Sequence, residues 1–176
     1  MSKPHNPKLY WTCLTLTAGN IHLAASDNGL VYVGSLNRPF AEMGDWIAAR
    51  FPKSELARND EKLAPYSAAI MDYFQGRRDF SGVPLDLPGT PFQQEVWQGL
   101  CEIPYGETRS YSEFAVQIGK EAAVRAVAAA IGANPALIFV PCHRVIGKNG
   151  KLTGYRGGLP MKENLLRLEQ TRSLPS

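Results

Sequence analysis

Metal-ligand spacing is absent from this 176-residue chain: it holds no C-x-x-C or H-x-x-x-H, and its three histidines, His5, His22 and His143, are scattered. A structural zinc site is therefore not expected, since closely spaced ligands are what such sites are built on. Cysteine is scarce too. Cys13, Cys101 and Cys142 cannot all pair, and in a reducing compartment none needs to. Cys13 and Cys101 read as small core hydrophobes. No apolar run approaches the ~18 residues of a membrane-spanning helix. The opening stretch MSKPHNPKLYW lacks the apolar centre of a secretion signal. The expectation is a cytoplasmic protein without cofactor, metal or membrane contact.

Charge is in short supply as well. A net charge of +3 names no partner. Its distribution says more: residues 105–176 carry ten Lys and Arg against five Asp and Glu, a balance of +5, while residues 1–104 carry nine against eleven, a balance of −2. The C-terminal half is the one suited to face a polyanion. With 44% hydrophobic residues the chain can bury a core without staples.

The first half reads as strands followed by helices. YWTCLTLT, NIHLAAS and LVYVGSL are short β-prone runs, with Asp27-Asn28-Gly29 as the turn before the last, and predict two or three antiparallel strands. Helical spacing then places Phe40, Met43, Trp46, Ile47 and Phe51 on one face. Leu63, Tyr66, Ile70 and Tyr73 do the same in a second helix, kinked or started at Pro65. Prolines in GVPLDLPG prohibit helix. They mark a boundary between domains at 1–87 and 88–176.

Start signals dominate the second half. Thr90, Pro91 and Gln93 form a T-x-x-Q capping box ahead of the stripe Phe92, Val96, Leu100 and Ile103. Ser110 and Glu113 form another, opening a short helix that stops at Gly119. A further helix is expected from Glu121 to Ile131, giving the proportions of a helix-turn-helix. That last helix lacks what a sequence reader needs. Ala122, Ala123, Ala126, Ala128, Ala129 and Ala130 leave Arg125 as its only long polar side chain. Either the helix is packed closely in a core, or its small face lies against a minor groove with Arg125 as the single probe.

ALIFV, residues 136–140, then reads as a buried strand ending at Pro141, which presents Cys142 and His143. A Cys-His pair alone is compatible with a structural cysteine. The following loop, with Gly147, Gly150, Gly154, Gly157 and Gly158, has more backbone freedom than a connector needs and suggests close approach to a ligand. Glu169 in the last helix lies where a carboxylate can turn back toward His143. Nucleophile, base and orienting carboxylate are thus all available. Neighbours on an extended chain point apart, so a water is expected to link the sulfur to the imidazole.

These stretches, PCHRVIGKNGKLTGYRGG with VRAVAAAIGANP, SYSEFA and TPFQQEVW, resemble the O6-alkylguanine-DNA alkyltransferase family over about residues 88–170. The resemblance implies an α+β protein, with an N-terminal ribonuclease H-like antiparallel sheet with helices and a C-terminal, mostly helical domain carrying a winged-helix-like helix-turn-helix. It implies a single-turnover, monomeric methyltransferase of DNA repair. Its partner is double-stranded DNA containing O6-alkylguanine, with O4-alkylthymine as a further substrate. Cys142 becomes the alkyl acceptor, His143 its base through water, Glu169 the group that orients His143, and Tyr111 the proton donor to the departing guanine. Arg125 fills the stack behind a flipped nucleotide, and Asn134 holds the turn after the recognition helix. Ala123 and Ala128 face DNA, while the Val145 carbonyl and the Tyr155-Arg156 segment line the guanine pocket. Arg156 stands where a small residue is common, and Ala128-Ala129 where glycine is.

Three rival readings make different demands. A non-catalytic sensor of alkylated DNA from the same family carries tryptophan at the position of Cys142. A transcription regulator needs a polar recognition helix. A cysteine hydrolase needs an oxyanion hole and leaves Arg125 unexplained.

Overall fold

The computed structural model describes residues 6–77 and 79–173. Three antiparallel strands, β1 (Leu9–Leu16), β2 (Gly19–Ala25) and β3 (Leu30–Val33), arise where expected. A fourth, β4 (Leu56–Arg58), joins β1 in parallel and gives the order β3-β2-β1-β4. Three residues are too few for a period-2 pattern, so β4 has no sequence signature.

Helix α1 (Phe40–Arg50) covers one face of the sheet, burying Met43 and Ile47 against Leu9, Ala24, Val31 and Tyr32. Helix α2 (Asp60–Phe74) packs on the other face. It begins at the Asn59 cap, whose side chain accepts from the Lys62 amide; Pro65 lies inside the helix rather than starting it.

The remaining helices are α3 (Pro91–Leu100), α4 (Tyr111–Gln117), α5 (Val124–Gly132) and α6 (Leu159–Ser173). Both expected capping boxes form, Thr90 with Gln93 and Ser110 with Glu113. Gly99 lets α3 pack closely on the end of α4: a Cβ there would sit 2.4 Å from Ile118 Cγ2. The Trp97 indole N–H donates to the Ala130 carbonyl at 2.9 Å and ties α3 to α5.

Two expectations are corrected. The helix foreseen from Glu121 is broken: Glu121–Ala123 form a 3-10 turn and α5 starts only at Val124, because Ala123 adopts φ −125° and ψ 37°. The ALIFV stretch is not a strand. Only Ala136 bridges to Val33; the chain then coils on itself, with the Val140 amide donating to the Ala136 carbonyl at 3.0 Å and Phe139 to Leu137 at 2.9 Å. Ile138 takes a left-handed φ of 75°, which a β-branched residue adopts only when its surroundings force it. A short apolar run reports burial, and periodicity alone cannot say which backbone delivers it.

The core on the α2 side of the sheet runs without interruption into the second half of the chain. Ile21, Leu63, Ile70 and Tyr73 belong to the same buried cluster as Val96, Phe114, Val127, Ile138, Cys142 and Leu165. At about 1.5–3 kcal/mol for each large apolar side chain fully buried, this shared cluster holds the two halves together. The proline-rich stretch between them lies along β3, where the Leu30 amide donates to Pro84 at 3.0 Å and Asp86 donates back to Leu30 at 2.8 Å.

Candidate active site

Residues 142–144 form a 3-10 turn, so Cys142, His143 and Arg144 splay around a tight coil instead of alternating along an extended chain. All three are buried. Cys142 lines a cleft of about 240 Å³ together with Asn134, Leu137 and Tyr155. Tyr111, Ala128, Gly132, Gly154 and Arg156 contribute to the same walls. The volume falls below the ~300 Å³ at which sites for drug-sized ligands begin, and suits one flat ring system.

Behind the sulfur stands a saturated carboxylate. Glu169, on α6, is fully buried. Its Oε2 accepts from His143 Nε2 at 2.6 Å, the Tyr73 hydroxyl at 2.6 Å and Arg144 at 3.1 Å. Its Oε1 accepts from Arg144 Nε at 2.8 Å and the Gly106 amide at 3.2 Å. Burial alone would push the Glu169 carboxyl up, yet the bonds and charges of His143 and Arg144 outweigh it and hold the group at about 2. Burial pushes His143 down, against the opposing pull of Glu169. The imidazole is therefore neutral at pH 7, and its Nε2–H donates to the Glu169 carboxylate. Its Nδ1 is buried and finds no protein partner among the described residues, which leaves a lone pair to accept a proton.

Burial also pushes the Cys142 thiol up, only partly offset by a hydrogen bond from Asn134 and the charges of Arg156 and Lys162. The resting sulfur is thus a protonated thiol. Asn134 is fixed in turn: its amide donates to the Val140 carbonyl at 2.8 Å, and its oxygen accepts from the Ala136 amide at 2.9 Å. This side chain adds to the backbone bonds that close the coil carrying Cys142.

Tyr111 and Tyr155 face the cleft. The Tyr111 hydroxyl accepts from Thr153 Oγ1 at 3.3 Å, leaving its own proton to donate. Among the glycines of the following loop, Gly150 and Gly158 adopt left-handed φ of 76° and 89°, and Gly154 opens onto the cleft.

Arg156 lines the cleft as expected, while its guanidinium is engaged elsewhere. Its guanidinium donates to the carbonyls of Val33 at 2.8 Å, Asn134 at 3.1 Å and Pro135 at 3.1 Å, and stacks over Tyr32. Val145 is not among the residues lining the cleft. It pairs with Arg109 in the two-residue strands β5 (Arg109–Ser110) and β6 (Val145–Ile146), and its carbonyl accepts from Lys162 Nζ at 2.7 Å. Arg125 lies exposed on α5 beside the exposed Ala122, Ala126 and Ala129, while Val127, Ala130 and Ile131 face the core. Ala123 is half-buried at the break before α5. The helix thus has both a packed side and a small open side.

Sequence reasoning passed over Tyr73, Arg144 and Lys162. Arg144 stood in the quoted motif; Tyr73 read as an ordinary apolar-face residue. Lys162 is fully buried and also donates to the Thr153 carbonyl at 2.9 Å, and a lysine in a polar-looking helix gives no hint of that. No group of three or more metal-ligating side chains occurs among the described residues; His5 lies outside them.

Residues 9–87 match the 6-O-methylguanine DNA methyltransferase, ribonuclease-like domain, and residues 91–171 match the DNA binding domain of the same proteins. The chain belongs to this family. The inducible methylated-DNA-protein-cysteine methyltransferase of Bacillus subtilis is 55% identical over 169 residues, covering 96% of this chain and 94% of that protein. The Methanosarcina barkeri methylated-DNA-protein-cysteine methyltransferase is 43% identical, covering 92% and 98%. Among solved structures, Mycobacterium tuberculosis OGT in complex with DNA superposes with a TM-score of 0.76 at 40% identity, covering 93% of this chain and 94% of that one. The family's two-part architecture accounts for the α+β fold, with the cleft, the Cys-His-Glu array and the open helix face all in the second part.

Proposed function

We propose that this protein repairs DNA by moving the alkyl group of O6-alkylguanine, and of O4-alkylthymine, onto its own Cys142. The observation that carries this reading is the placement of Cys142 and Tyr111 on the walls of one base-sized cleft, with a neutral His143 bonded to the Glu169 carboxylate behind it. Likeness to a DNA-bound relative supports double-stranded DNA as the partner. The protein acts as a monomer.

The small open side of α5 suits a shallow minor groove, where a helix without long polar side chains reads no sequence. The reactive carbon lies in the major groove, so the nucleotide has to leave the stack, at a cost of a few kcal/mol. Arg125, exposed on that face, fills the gap.

In the cleft, the thiol proton passes through a water to Nδ1 of His143, and the imidazolium formed is stabilised by Glu169. The thiolate attacks the alkyl carbon. A sulfur–carbon bond forms, the carbon–O6 bond breaks, and its electron pair leaves with guanine, which takes a proton from Tyr111. A raised thiol pKa means that the thiolate exists only once His143 has taken the proton, so no thiolate waits at rest for other electrophiles. The thioether product is not readily hydrolysed, so each molecule acts once.

Incubating the protein with a duplex containing one O6-methylguanine and weighing its peptides tests the proposal. One methyl mass is expected on the peptide holding Cys142; Cys142→Ala should still bind DNA and gain none. A methyl on Cys13 or Cys101 overturns the assignment. Unmodified protein that binds alkylated DNA tightly favours the non-catalytic sensor.

A further inference from the structure

Of the five hydrogen bonds that Glu169 accepts, one comes from the other half of the chain. Tyr73 sits on α2 and is fully buried, its ring packed edge-on against Phe74 and Tyr105 with centroids 5.4 and 6.0 Å away. A phenylalanine would fill that space. The hydroxyl nevertheless reaches Glu169 Oε2, 96 residues further along the chain, and that oxygen is the one His143 bonds, each at 2.6 Å.

Resting on the alkyl-transfer reading above, we propose that Tyr73 is a positioning residue for the reaction: by sharing Oε2 of Glu169 with His143, it fixes the carboxylate and tempers its pull on the imidazole.

A carboxylate only accepts, so the Tyr73 O–H donates. Burial, followed by the charge of Glu169, pushes the phenol far above its ordinary value, so it remains a donor at every working pH. Each donor on Oε2 spreads the negative charge and lowers its basicity. His143 therefore receives enough from Glu169 to hold its Nε2 proton and its orientation. It does not receive enough to become charged before the thiol gives up its proton. The other groups around this pair are Arg144 and Lys162, whose charges oppose protonation of His143, and Cys142, Tyr105 and Tyr155 at the edges. Arg144 supplies two of the five bonds and Gly106 one, so the carboxylate stays ionised and bound when the phenol is removed.

The geometry gives the N-terminal half a direct part in the chemistry: without Tyr73 the imidazolium gains stability, and the pH below which His143 is protonated rises. The test is transfer rate against pH, in single turnover on an O6-methylguanine duplex, for the full-length chain. Tyr73→Phe should move the acid limb upward by about half a pH unit, an approximately threefold loss of rate on that limb relative to its own plateau. Replacing Tyr73 by a ring-fluorinated tyrosine, a stronger donor, should move the limb the other way. A filler role in the core would lower thermal stability or scale the rate evenly at all pH values, with the midpoint unmoved. A midpoint in either variant that superimposes on the unmodified protein overturns the proposal. If Tyr73→Phe does not fold, the fluorinated protein decides alone. Absence of methyl transfer by the unmodified protein strikes the proposed function instead, and is read from the same experiment.

Discussion

Arg156 donates to the carbonyl of Val33 at 2.8 Å, joining strand β3 to the loop that walls the active cleft across 123 residues of chain. The same guanidinium holds the carbonyls of Asn134 and Pro135, so it locks the end of the helix-turn-helix to the sheet. A fork of donors on a rigid plane can do this; an ammonium cannot. Arg156→Ala should lower unfolding stability by about 2–4 kcal/mol, and Arg156→Lys should restore less than half of it, in denaturant titrations of both variants.

Asn134 offers a sharper separation of stability from chemistry. Asn134→Ala leaves the buried Ala136 N–H unpaired, at a cost of about 1–3 kcal/mol, while the Val140 carbonyl keeps its bond from the Cys142 amide. It also removes the hydrogen bond that draws the Cys142 thiol down. Rate profiles should therefore move to higher pH even at temperatures where the variant is fully folded. A rate that merely scales would assign Asn134 to the loop alone.

Those two residues show where the sequence was readable. Cys142, His143 and Glu169 are residue types that carry their own chemistry, whereas the part of Asn134 came from the resemblance alone. Both capping boxes were equally legible, since a cap is a contact between residues three apart. Arg156 was visible as a residue and invisible as a link, because its partners come from a strand far back in the chain. The coil at 136–140 failed for a different reason: an apolar run has the same composition whether it forms a strand or a turn held by Asn134. Nothing local signals a left-handed isoleucine.

Tyr111→Phe should slow transfer about 10²-fold or more from O6-methylguanine, since the departing anion loses its proton source. The loss should shrink for substrates whose leaving group is a weaker base. Equal losses across a series of leaving groups, measured in single turnover, would limit Tyr111 to a wall of the cleft.

Arg125→Ala should reduce transfer from duplex DNA by roughly tenfold or more, because the flipped state loses its filler. Free O6-benzylguanine needs no flipping and should react nearly as before. Uniformly weaker DNA binding with a flatter salt dependence would point to a phosphate contact instead.

Acid should unfold this protein through its active site. Glu169, held at about 2, contributes stability that is complete above its ordinary 4.5 and lost as pH falls toward 2. His143, buried and neutral, adds a second loss that begins as pH drops below 6.5, where the unfolded chain takes up a proton and the folded one resists. Glu169→Gln removes the first component, so its stability should depend less on pH between 4.5 and 2 in thermal melts.

Cys142 is only 5% exposed and belongs to the cluster that both halves of the chain share. An alkyl group gained there has to fit between the cleft walls and the shared cluster, a crowding that costs ~1–3 kcal/mol. The molecule therefore keeps a physical record of its own use. A population that has met damage should melt in two steps, spent molecules below fresh ones, and the ratio of the steps should count the lesions removed.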